Sequence, residues 1–402
     1  MRQRDDTRPD LSGTDFRTAL PALHHRAVEH RRHLHRHPEL SGEEYATTRY
    51  IAEQLRASGV RVLDHPTPGV VAQVDAADPG RPVVALRADI DALPVPEDGA
   101  KTVVSERPGV SHACGHDGHT AILLAVVEWV AANADRLQSS VRFLFQSSEE
   151  QIPSGAERLV RDGVLDDVAH VFGLHLWRNL DKGLVGVAEG SMMASTDDFD
   201  IVFSGPGGHG GMPHESADVV VAAARLVTDL QSLVGRRQDP QRPLVITVGH
   251  LEAPGNHNVI PARALLQGTV RALDHGSRDD AERWITDAAR AAAAPSGAAV
   301  DVTYQRGTPP LINDPAAARF LQSAARRHCR EVTTTPIRPV MGGEDFSFYL
   351  EQCAGAFAFV GMGGPGSRHA HHTPCFDIDE DVLRTGIELM VGLIDDYGRE
   401  GP

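Results

Sequence analysis

The chain has 402 residues, 41% hydrophobic and 23% charged, with a formal net charge of −16 at pH 7. That length supports one large domain or two ordinary ones with a substantial core, and no run approaches the ~18 apolar residues a membrane span needs. The acidic balance argues against nucleic acid or another polyanion as partner and leaves small molecules or peptides.

The N-terminal stretch MRQRDDTRPDLSGTD is polar and lacks the apolar core of a secretory signal, so the expected compartment is the cytoplasm. A reducing compartment disfavours disulfides, and Cys329, Cys353 and Cys375 are expected to be core or surface thiols. All but two of the 39 basic residues are arginine, Lys101 and Lys182 being the exceptions. That skew reads as genomic base composition rather than function.

Residues 15 to 59 read as helix, loop, helix. Strands GVVAQVDA and RPVVALRADIDAL follow, the second apolar at its start and acidic at its end. TAILLAVVEWVAANA is a buried helix with Asp117 as its expected N-cap. SVRFLFQSSEE is a buried strand running into two carboxylates, GAERLVRDGVL a short helix and AHVFGLHLW another strand. Apolar strands alternating with helices predict an α/β fold, a mostly parallel sheet with helices on both faces. Near residue 195 the rhythm changes to β-α-β-β-α-β, the pattern of a ferredoxin-like α+β unit, over 195–307. From 308 the α/β pattern resumes, including a helix over GGEDFSFYLEQC and a long C-terminal helix. The expected organisation is one domain from 1–194 and 308–402, interrupted by an inserted domain.

Chemistry-bearing residues collect at strand ends and the loops after them, where open parallel sheets form their ligand crevice. Asp89 and Asp91 close one strand, and SHACGHDGHT supplies Cys114, His116 and Asp117 in the next loop. Glu149 and Glu150 close another strand, His175 a fourth, and His369, His371 and His372 follow a fifth. Any one of these alone reads as a core or surface residue. Five segments converging on one edge favour a metal site. Imidazole, thiolate and carboxylate suit zinc, and also cobalt, manganese or nickel. Cys114, His116, Glu150, His175 and one late histidine give five donors, more than the three of a single catalytic zinc. They fit two ions about 3.5–4 Å apart, with Cys114 as a bridging thiolate. Glu149 beside such a centre is the natural general base for a metal-bound water, the chemistry of amide hydrolysis.

ALRADIDALP, HACGHDGH, FQSSEE, GLHLW, SGPGGHGGMPH, NVIP with GTVRAL, GGEDFSFY and HHTPCFDIDE occur in this order. The set resembles the metal-dependent amidohydrolases that include hippuricase, bacterial N-acyl-L-amino-acid amidohydrolases and plant hydrolases of auxin–amino-acid conjugates. The similarity runs from about residue 25 to the end. It implies a catalytic domain holding two divalent ions (zinc, manganese or cobalt), interrupted by a lid domain that often mediates dimerisation. It implies Cys114, His116, Glu150, His175 and His372 as ligands, the last chosen because it directly precedes Thr-Pro, and Glu149 as base. His209, Asn258 and Arg271 would contact the substrate carboxylate or the developing oxyanion. The family more often has Ala or Ser after the His209 position, so Gly210 is a small departure. Asp89 and Asp91 are expected to orient ligands rather than bind metal, Asp117 to cap its helix or orient a ligand, and His112 and His119 to support.

The activity so implied is hydrolysis of N-acyl amino acids, a small-molecule substrate, by a homodimer or homotetramer with no membrane partner. A metallo-dipeptidase or carboxypeptidase would use the same centre. A cysteine-nucleophile hydrolase would leave Glu149, Glu150 and His175 without a task, and a non-catalytic binding protein would leave Glu149 without one.

Overall fold

The computed structural model describes residues 11–78, 80–98, 101–364, 367 and 369–402, so most of the polar N-terminal stretch, residues 1–10, lies outside it. Two compact units are present: Met1–Gly190 with Asn313–Arg338 and Phe348–Pro402, and Ser191–Ile312 with Pro339–Ser347. The second is wider than 195–307. Its strand Ser191–Met193 pairs antiparallel with Leu311–Ile312, which draws both flanks into it.

In the first unit an eight-stranded sheet has at its centre the parallel strands Val141–Gln146, Val83–Asp89, Val168–Asp181 and Ala354–Gly363. Every residue of Val83–Asp89 and Val141–Gln146 is buried. Successive side chains point to opposite faces, so both faces of the sheet are covered, as a parallel α/β sheet requires. Antiparallel neighbours flank this centre: Gly69–Val74 against Val141–Gln146 on one side and Leu184–Gly186 against Ala354–Gly363 on the other. The helix Phe16–Arg36 starts at Asp15, whose carboxylate accepts the Arg17 and Thr18 N–H groups, and buries Leu20, Leu23, Ala27 and Leu34 along one stripe. His116–Ala132 is buried almost all round, which makes it a core helix rather than a surface one.

The second unit has a four-stranded antiparallel sheet in the order Leu244–Glu252, Arg263–Ala272, Asp197–Ser204, Ala299–Arg306. Asp197–Ser204 alternates buried and exposed residues, so one face packs and the other does not. Phe199, Ile201 and Phe203 pack with Leu226 and Leu230 of helix Val219–Ser232 and with Trp284 and Ile285 of helix His275–Ala293. Its longer elements follow one another as β-α-β-β-α-β, with the short strands Gly208–His209 and Val259–Ile260 set between them.

Two local expectations are corrected. Asp117 is not an N-cap: the helix begins at His116, two residues earlier than that cap would set it, with Gly115 in the capping position. Of the helix expected over GGEDFSFYLEQC, only Ser347–Leu350 forms. The Glu344 carboxylate accepts the Phe346 N–H at 2.9 Å, closing a local turn before the helix can start. Among the described residues, no helix is long and apolar enough to cross a membrane.

Candidate metal centre

Parallel pairing sets Asp89 beside Gln146, so Val83–Asp89 and Val141–Gln146 end at one edge; His175 does not close its strand as expected but stands within Val168–Asp181, which pairs with Ala354–Gly363 and runs on past that level to Asp181. Helix His116–Ala132 starts at that edge. Between Cys114 and His116 stands Gly115 at φ 93°, a left-handed backbone that glycine adopts without steric cost. Ser148 (φ 54°) and His372 (φ 62°) take left-handed conformations as non-glycine residues. Such strain persists only where the surroundings impose it, and here it accompanies Glu149, Glu150 and His372.

Cys114, His116 and His175 bring one donor atom each within 4.8 Å of one another, and so do Cys114, Glu150 and His372. The thiol belongs to both groups. Its Sγ lies 3.4 Å from His175 Nε2 and 3.3 Å from His372 Nε2. His372 Nε2 is 3.0 Å from Glu150 Oε1, and His116, Glu149 and Glu150 form a further group of the same kind. Of the late histidines, His369 is exposed and His371 Nε2 bonds the Leu176 carbonyl at 3.1 Å, which leaves His372 at the cluster.

Hydrogen bonds behind the donors set their tautomers. His116 Nδ1 meets the Asp91 carbonyl oxygen at 3.0 Å and its carboxylate at 3.2 Å, and His175 Nδ1 meets the Leu176 carbonyl at 2.9 Å. Both Nδ1 atoms therefore donate, and both Nε2 lone pairs face the cluster. His116 Nε2 is buried and has no hydrogen-bond partner among the described residues. An orphaned lone pair beside a thiol and two carboxylates fits a soft or borderline divalent cation, so the donor set suits the implied metal.

Asp89 and His119 lie near His116 but are spent elsewhere. Asp89 accepts from Arg87 at 2.6 Å and from His119 Nδ1 at 2.7 Å, and His119 Nε2 accepts the Leu176 N–H at 2.9 Å. Asp91 thus orients a candidate ligand directly, whereas Asp89 acts through His119 on the backbone next to His175. Asp117 is buried under Arg31 at 2.9 Å and His35 at 2.7 Å. His112 is buried with neither ring nitrogen bonded among the described residues, and burial pushes it down to about 4, keeping it neutral.

Burial raises the Cys114 thiol and drives His175 well below its ordinary value. His116 goes well above, because Asp89 and Cys114 outweigh its burial. His372, bonded to Cys114 and Glu150, rises to about 10. Asp89, Cys114 and Glu150 thus favour positive charge beside His116 and His372, and a divalent ion at their Nε2 atoms would supply it while leaving both rings neutral.

In the second unit the short strands Gly208–His209 and Val259–Ile260 pair, and the Gly210 N–H bonds the Asn258 carbonyl at 2.7 Å, which brings His209 and Asn258 together. A Cβ on Gly210 would stand 2.9 Å from the Asn258 backbone, so a side chain there would push these two segments apart. Arg271 lies apart from this pair, on Arg263–Ala272, with a buried Nη1 that has no hydrogen-bond partner among the described residues.

The sequence reading did not single out Arg87, Arg31, His35, Ser41 or Glu44. Arg87 was readable, since it shares a strand face with Asp89 two residues on. The others act across long chain separations that no local pattern announces.

The model of peptidase family M20/M25/M40 matches residues 85–396. An N-acyl-L-amino acid amidohydrolase of Geobacillus stearothermophilus is 43% identical over 284 residues, 70% of this chain and 76% of that one. An N-acetyl-L-cysteine deacetylase of Bacillus subtilis is 37% identical over 367 residues, 90% of this chain and 86% of that one. The crystal structure of the Bacillus subtilis YXEP protein, a dinuclear metal binding peptidase of the M20 family, matches with a TM-score of 0.82 at 33% identity, over 93% of this chain and 98% of that one. With the match running through most of its length, this chain belongs to peptidase family M20/M25/M40.

Proposed function

We propose that this chain hydrolyses the amide bond of N-acyl amino acids, releasing a carboxylate and a free amino acid, with two divalent metal ions as cofactors. The observation that carries the reading is the pair of donor groups sharing Cys114, with Glu149 beside them. Cys114, His116, Glu150, His175 and His372 are the ligands in this reading. When bound, the ions would polarise the scissile carbonyl and acidify a water.

The remaining work falls to this chain's own side chains. Glu149 takes a proton from the attacking water and returns it to the leaving amine nitrogen, so that the amine departs neutral. Asp91 fixes the His116 tautomer, and Asp89 and His119 hold the backbone beside His175. His209, Asn258 and Arg271 bind the substrate carboxylate or the developing oxyanion, as the family likeness suggests. A thiolate donor favours zinc, with manganese and cobalt as the alternatives.

The subunits associate as a homodimer or homotetramer in this reading. Leu244–Glu252 is an edge strand of its sheet and exposes Val245 and Leu251, and helix Val219–Ser232 exposes Val220 and Val221, which supports an interface there. Light scattering on the purified protein tests it. The cytoplasm suits a chain whose four cysteines are all free.

The deciding experiment measures amino-acid release from N-acetyl, N-benzoyl and N-indoleacetyl amino acids and from dipeptides, on chelated enzyme with and without zinc, manganese or cobalt. Turnover of N-acyl amino acids that requires metal is expected. Preference for dipeptides would make the chain a dipeptidase or carboxypeptidase. Chelator-insensitive turnover abolished by thiol alkylation would move the chemistry to a cysteine nucleophile.

A further inference from the structure

Glu44 sits just before helix Tyr45–Ala57, in the N-cap position, yet its side chain makes no capping hydrogen bond. It is buried, 2% exposed, and burial lifts its carboxyl to about 7. A carboxylate kept inside at such cost, and not used by its own helix, needs another task. Its Oε1 accepts the Ser148 N–H at 2.7 Å and faces the Ser148 hydroxyl at 3.4 Å. Ser148 is the left-handed residue directly before Glu149. On the other side of Glu149, the Glu150 N–H donates to Asp91 Oδ2 at 3.1 Å, and that same oxygen accepts the Ser41 hydroxyl at 2.7 Å. The two amides flanking Glu149 are therefore tied to two buried carboxylates from two distant segments. Asp91 also orients His116, so one arm of this clamp belongs to the metal centre. The other arm, Glu44, touches none of the candidate ligands among its hydrogen bonds.

We propose that Glu44 is a positioning residue for Glu149: by holding the Ser148 amide in its left-handed conformation, it aims the general base. This rests on the reading of Glu149 as the base. Glu44 does not touch substrate, and its effect passes through the backbone of 148–150. A base misplaced by an ångström slows proton transfer without changing how substrate binds, so the effect falls on kcat.

The test compares Glu44→Gln, which keeps an acceptor oxygen at the same reach, with Glu44→Ala, which removes it. The expected result on metal-loaded enzyme is a kcat lowered about 10- to 100-fold in Glu44→Ala, with KM within about threefold and metal content unchanged, and recovery to within about threefold of wild type in Glu44→Gln. Wild-type kcat in Glu44→Ala, or equal losses in both variants, would overturn the proposal. If Glu44→Ala does not fold, Glu44→Asp carries the same expectation, because it keeps the charge but draws the oxygen back by one methylene. Hydrogen exchange over residues 146–152 gives a readout that needs no turnover. Exchange about tenfold faster in the variant that lacks the acceptor, and unchanged in Glu44→Gln, is expected, and unaltered exchange in both overturns the idea. Glu149→Gln, run in parallel, separates the two readings. Normal turnover there defeats the assignment of the base itself, whereas its collapse beside an unaffected Glu44→Ala defeats only the clamp.

Discussion

In the second unit, Asp197 is buried and charged, and every demand it makes is met. Arg278 binds it with two nitrogens, the Tyr304 hydroxyl reaches it at 2.9 Å and the Gly307 N–H at 3.1 Å. In the first unit, Asp91 is equally buried and equally well bonded, by Ser41, the Glu150 N–H and His116, but the far side of the His116 ring it supports is not. His116 Nε2 has no hydrogen-bond partner among the described residues, and the Cys114, His175, Glu150 and His372 donors converge on the same space. A closed network such as that of Asp197 is structural. A network that satisfies everything except a few converging lone pairs has been built to receive something.

The contrast can be attacked from its strongest consequence downward. Chelation should abolish turnover and lower the melting temperature, and restoring zinc, manganese or cobalt should recover both; calorimetry and product release on the same sample check this. Metal-independent melting would mean that the open donors of the first unit are only incidental. Glu149→Gln should lower kcat by about 10²–10⁴ while leaving bound metal in place, read by steady-state kinetics beside metal analysis. Asp197→Ala should destabilise the fold by about 3–5 kcal/mol, since it strands buried Arg278, yet leave kcat per folded molecule unchanged. A kcat loss there without a stability loss would erase the distinction between the units. Asp91→Asn should weaken metal affinity about 10- to 100-fold, measured by competition with a chromogenic chelator.

The smallest effect concerns acid stability. Despite burial, hydrogen bonds from His35, Lys101 and the Ser105 amide hold Glu97 down to about 2. Its contribution is fully present above the ordinary glutamate range and is lost as pH falls through about 2. Glu97→Gln should therefore flatten the stability profile between about pH 4.5 and 2 and change little at neutral pH, as acid titration followed by circular dichroism would show.

Much of this was legible in the residues. Apolar runs leading into Asp89, Glu149–Glu150 and His175 announced a parallel sheet with chemistry at one edge, because burial on both faces forces continuous apolar runs and polar groups return where the strands leave the core; that His175 stands within its strand rather than at its end was not legible. The alternation of Asp197–Ser204 and the two helices around it announced the second unit. What misled were short-range competitions: Asp117 looked like a cap because it precedes an apolar run, but Gly115 already turns the chain, and the Glu344 turn forestalled a helix that its sequence favoured. Arg31, His35 and Glu44 escaped notice because their partners lie about 60 to 350 residues away.

By itself, then, the order of residues determined the kinds of donor present, the strands that carry them and the division of the chain into an α/β part and an α+β part, because these follow from periodicity and local chemistry. Only the tertiary structure decided which of His369, His371 and His372 reaches Cys114, which tautomer His116 and His175 adopt, and which buried carboxylate serves a lone pair rather than a salt bridge. Those outcomes depend on hydrogen bonds between segments far apart in the chain, and a one-dimensional pattern holds no record of them.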